Sequence, residues 1–130
     1  MPQYKAPVDD MKFLLHDWLN VTELYKRLGQ EEAADKDLVN AVIDEAAKFA
    51  EQQISPLNHL GDQTGCLFNN GQVSTPEGFK QAYQNYCDAG WASLRFSKKS
   101  MISPRLLSMA SIMDAYLASV GSIPWSRYFW

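Results

Sequence analysis

The sequence predicts an all-α chain: a bundle of four or five helices with a short hairpin-like connector. Apolar residues recur at helical spacing in several separate segments, capping and stopping residues bound those segments, and only one place carries a strand-turn signal. From Asp9 to Leu19, the residues Met11, Leu14, Leu15, Trp18 and Leu19 fall at helical spacing, with Asp9 or Asp10 as the cap. A second short helix is predicted over Thr22 to Leu28, ended by Gly29, because glycine accepts the left-handed position past a helix end.

The strongest pattern runs from Asp37 to Ile54. Val39, Val42, Ile43, Ala46, Ala47, Phe49, Ala50 and Ile54 form one apolar stripe, and Asp44, Glu45, Lys48, Glu51 and Gln52 lie largely opposite. Asp37 is the expected N-cap, and Pro56 is expected to stop the helix soon after Ser55. Leu57 to Ser74 then reads as connector. Its Asn70-Gly71 pair predicts a small hairpin, since both central residues of a type I′ turn need positive φ. Thr75-Pro76 opens the next helix, with Phe79, Ala82, Tyr83, Tyr86 and Cys87 on its buried face and Gly90 at its end. Ser103-Pro104 repeats that signature ahead of Leu106, Leu107, Met109, Ala110, Met113, Tyr116, Leu117 and Val120, and Gly121 is the stop.

At 130 residues the chain is a single domain, and 46% apolar content suits a folded one. A net charge of -3 argues against nucleic acid as a partner. No apolar run approaches the roughly 18 residues of a membrane span, and the first residues lack a secretory signal, so the cytoplasm is the expected compartment. Cys66 and Cys87 have no metal-binding spacing and are expected as free thiols. Composition breaks near Trp91. Residues 1–90 hold seven Lys and Arg against fourteen Asp and Glu, whereas residues 91–130 hold five against Asp114 alone. Only Ser55 and Ser74 precede that point, and nine serines follow it.

One stretch is more specific than any of these patterns. It carries Ile54-Ser-Pro-Leu-Asn58, Gly61-Asp-Gln-Thr-Gly-Cys66, Asn70-Gly71, Thr75-Pro-Glu-Gly-Phe-Lys80, Ala82-Tyr83, Tyr86 and Ala89-Gly-Trp91. This resembles the segment joining the early helices in the amino-terminal helical domain of acyl-CoA dehydrogenases. Tyr4-Lys-Ala-Pro7 and Asp9-Asp-Met-Lys-Phe-Leu-Leu15 resemble the leader of the 3-methylmercaptopropionyl-CoA dehydrogenase-like subgroup. On that resemblance residues 1–35 are leader, and residues 91–130 are a divergent tail with a terminal helix. The family's Gly-rich loop after the Gly-Trp pair is replaced by Ala92-Ser-Leu-Arg-Phe-Ser-Lys-Lys-Ser-Met-Ile-Ser-Pro104, and Pro104 to Ala110 again looks like the start of the family's next helix.

The resemblance implies a truncated amino-terminal domain. In the family, FAD is held mainly by the middle β domain and the carboxyl-terminal helical domain, and the catalytic glutamate lies beyond the matched region. No catalytic, cofactor-binding or metal residue is therefore assigned in this chain, no cofactor is expected on it alone, and catalysis by it alone is not expected.

Individual polar residues are weighed on the same terms. His16 falls within a helix and His59 in the connector, neither beside a nucleophile motif, so structural or exposed roles are expected. Asn58 and Asp62 are expected to make Asx turns in the connector. Asp44-Glu45 and Glu31-Glu32 are adjacent pairs whose side chains diverge, which disfavours a carboxylate dyad. Lys98-Lys99 with Arg105 could face an anion such as a CoA phosphate, but solvated charge is the simpler reading. Phe79 and Trp91 are expected in the core. Three functions stand: an isolated amino-terminal domain, a subunit completing a flavin-domain chain in trans, or a small helical interaction module. Apolar surface left uncovered, together with Trp125, Tyr128, Phe129 and Trp130, predicts a homodimer.

Overall fold

In the computed structural model, residues 4–29 and 35–91 and the single residue Ala115 are described. Among them the chain is mostly helical, with one small two-stranded sheet. Helix α1 spans Val8–Phe13 and runs straight into a π-helical turn over Leu14–Trp18, closed by a bond from the Leu19 N–H to the Leu14 carbonyl at 2.9 Å. Asp9 and Asp10 sit inside the first turn of α1 and do not cap it; the capping position is Pro7. They still complement the positive end of the helix. Of the apolar set expected here, only Leu15 is buried. Trp18 is 72% exposed and Leu19 53%.

Helix α2 spans Val21–Arg27 and buries Val21 and Tyr25. Asn20, at φ 45°, makes the corner ahead of it, and Gly29, at φ 68°, ends it as predicted. Asparagine tolerates the left-handed region better than other residues with a Cβ, which suits this position.

Helix α3 covers Lys36–Phe49, capped by Asp35, whose carboxylate accepts from the Asp37 N–H at 3.0 Å. The cap therefore falls two residues before the one the sequence suggested. The predicted stripe faces the core: Val39, Ile43, Ala46 and Ala47 are buried, with Ala50 and Ile54 continuing it. Val42 and Phe49 flank the stripe half-buried.

Pro56 does not stop this helix. The chain passes through a π-helical turn at Ala50–Ile54 and continues as helix α4, Ser55–Thr64, with the proline in its first turn. A proline ring would meet the carbonyl four residues back and supplies no N–H. The wider π turn bonds the Ser55 N–H to the Ala50 carbonyl, so the ladder changes step just before the proline arrives. The first part of the expected connector, residues 57–64, is consequently helix.

The predicted hairpin is present. Strands β1, Leu67–Asn69, and β2, Gln72–Ser74, pair antiparallel around Asn70 at φ 49° and Gly71 at φ 81°. All six strand residues are exposed. Helix α5 then spans Phe79–Asp88 and begins later than Thr75-Pro76 implied. Gly78 at φ 86° cannot belong to a right-handed helix, so Pro76 to Gly78 form a turn and the helix starts after it. Phe79 and Ala82 are buried, but Tyr83 is 45% exposed, a departure from the predicted buried face. Gly90, at φ 81°, closes the helix.

Residues 6–16, part of the segment expected as leader, run antiparallel to α3. Three polar ties run in nearly one register: the Ala6 N–H donates to Glu51 Oε1 at 2.7 Å, Lys12 Nζ meets Asp44 Oδ1 at 2.8 Å, and His16 Nε2 meets Asn40 Oδ1 at 2.8 Å. Beneath them, Ala6, Leu15, Val21 and Tyr25 join the α3 stripe and α5's Phe79 and Ala82 in one core. The predicted helix from Pro104 to Val120 lies outside the described residues apart from Ala115, which is helical and half-buried.

Candidate functional site

One concavity among the described residues is an open groove of about 530 Å³ between α3, its π turn and the end of α5. Its lining follows from helical geometry. Ala41, Val42, Glu45, Lys48, Phe49 and Gln52 recur every three or four residues along one side of α3, next to the buried stripe. Gln53, Ala89 and Trp91 complete the lining. Phe49 and Trp91 give the lining its aromatic rings, with centroids 6.4 Å apart and tilted; beside the groove the Phe49 ring is also 6.1 Å from that of Tyr86. Asn85 Nδ2 donates to Gln53 Oε1 at 3.0 Å and fixes α5 against the π turn beside the groove.

Charge at the groove is internally balanced. Lys48 Nζ donates to Glu45 Oε1 one turn away. That bond, then the Glu45 charge, raises the lysine pKa above its ordinary value, with burial opposing and Asp44 adding slightly. The pair is exposed, and the hydrogen bond holds the Lys48 ammonium against the Glu45 carboxylate. Gln52, Gln53 and the Trp91 indole add the other polar side-chain groups among the described lining residues. Such a lining favours apolar contact and shape over bond-making chemistry.

The residues considered from sequence do not converge here. His16 bonds Asn40, and its Nδ1 is buried with no hydrogen-bond partner among the described residues. His59 is exposed on α4. Asn58 and Asp62 also lie within α4, so the Asx-turn reading fails because the segment is helix, not connector. Asp44 and Glu45 diverge as expected, one to Lys12 and the other to Lys48. Cys66 is exposed and Cys87 half-buried. Tyr83 is hydrogen-bonded to Cys87; that bond, then the thiol's charge and a small burial effect, raise the Tyr83 pKa. Phe79 is buried and Trp91 half-buried against the core. Glu31-Glu32, Lys98-Lys99, Arg105 and the aromatic residues from Trp125 to Trp130 lie outside the described residues. Among the described residues no group of His, Cys, Asp and Glu is placed to hold a metal ion, and no helix is long and apolar enough to cross a membrane.

Sequence reasoning missed the groove and the three leader ties. Of the lining residues, Val42 and Phe49 belong to the predicted stripe while Glu45, Lys48 and Gln52 are predicted largely opposite it, and nothing in the sequence says that Trp91 and Ala89 meet them.

Comparison with known proteins adds what the geometry leaves open. No family model matches the chain. It is 36% identical over 96 residues to a 3-methylmercaptopropionyl-CoA dehydrogenase of Ruegeria pomeroyi, a match covering 70% of this chain and 15% of that protein. It is also 32% identical over 100 residues to a butyryl-CoA dehydrogenase of Syntrophomonas wolfei, covering 75% of this chain and 16% of the relative. The chain is thus homologous to acyl-CoA dehydrogenases over part of its length, and it spans about 15% of the length of the curated relatives it matches.

Proposed function

We propose, from this homology, that the chain is the amino-terminal helical part of an acyl-CoA dehydrogenase-like flavoprotein of the leader-containing subgroup, acting in the cytoplasm. Its role there is to wall and brace an acyl-CoA site, and it has no catalysis of its own. The observation that carries this reading is the 36% identity to a 3-methylmercaptopropionyl-CoA dehydrogenase. The character of the groove supports it, since an aromatic floor with a neutralised Lys48–Glu45 pair suits packing against an apolar surface.

In such enzymes FAD supplies the redox chemistry, and the protein positions it against the thioester. The residues described here do not fit FAD. Among the described residues lining the groove, Lys48 is the one cation and is engaged by Glu45, and no glycine loop or arginine joins it to meet a pyrophosphate. The test is direct: the purified chain is incubated with excess FAD, passed through gel filtration, and its visible spectrum recorded. A colourless protein is the expected result, and a stoichiometric flavin band surviving the column overturns the assignment.

A second reading is favoured by the exposed apolar groups. Phe13, Trp18, Leu24, Leu28, Phe68 and Val73 are each at least half exposed. Where such side chains adjoin one another, they suit a covering surface. That surface belongs to a flavin-domain chain, joined or in trans, or to a second copy of this chain in a homodimer.

A further inference from the structure

We draw no further inference here: the strongest candidate, the open groove that Phe49 and Trp91 floor between α3 and the end of α5, carries nothing because no observation among the described residues shows what covers it.

Discussion

Ile43 and Phe49 sit six positions apart on α3 and show how much a register on one helix decides. Ile43 is fully buried, at 0% exposure, on the centre line of the stripe. Phe49 lies at its edge, half-buried, with Tyr86 and Trp91 covering its faces. Ile43→Ala is expected to cost about 2–5 kcal/mol, since it removes transfer energy and leaves a cavity in the middle of the packed layer. Phe49→Ala would reach about 3–5 kcal/mol only at full burial; half-covered as it is, a loss of about 2 kcal/mol is expected. Urea denaturation of both variants checks this. An Ile43→Ala midpoint equal to that of the parent would contradict the core assignment, and a larger loss at Phe49 would reverse the order of burial. Both residues were readable in the sequence as parts of one broad apolar stripe, about 120° apart round the helix. Their ranking was not, because it depends on what α5 brings to the edge.

At the scale of elements, Gly78 is the position where local conformation and tertiary packing coincide. Its φ of 86° turns the chain into α5, and an added Cβ would lie 2.7 Å from Leu57 Cδ2 on α4. Gly78→Ala therefore meets a strained backbone and a close neighbour together. A loss of about 1–2 kcal/mol is expected from the left-handed conformation alone. Thermal unfolding followed by circular dichroism measures it, and an unchanged or raised melting temperature would show that the turn does not depend on glycine. The same residue explains one misreading of the sequence. Thr75-Pro76 has the chemistry of a helix start, yet Gly78 two residues later imposes a turn first. Pro56 is the converse case. The proline rule is local, and a π turn one step upstream removes the clash on which the rule depends. Asn70-Gly71 was legible because its signal is conformational and needs no distant partner. The ties of Ala6 to Glu51 and His16 to Asn40 join residues 45 and 24 positions apart, and no local pattern encodes such pairings.

For the whole molecule, the question is what the helices are built to lie against. The core takes its side chains from the leader, α3 and α5, while Trp18 and Phe68 remain 72% and 74% exposed. If a second copy covers them, sedimentation at low micromolar concentration gives a dimer, and Trp18→Lys with Phe68→Lys returns it to monomer. A parent chain that is already monomeric there removes the homodimer. The family assignment was legible in the sequence through Ile54 to Trp91, because those motifs are specific even where their secondary structure was misjudged. The central claim is that this chain supplies a helical wall and brace to an acyl-CoA dehydrogenase. A chimaera tests it most directly, with the matched 96-residue stretch of the Ruegeria pomeroyi enzyme replaced by that of this chain, assayed for bound FAD and for flavin bleaching by 3-methylmercaptopropionyl-CoA. The account predicts a soluble yellow chimaera whose flavin is reduced by the thioester. A chimaera that folds but no longer holds FAD, or holds it and is not reduced, would contradict the claim.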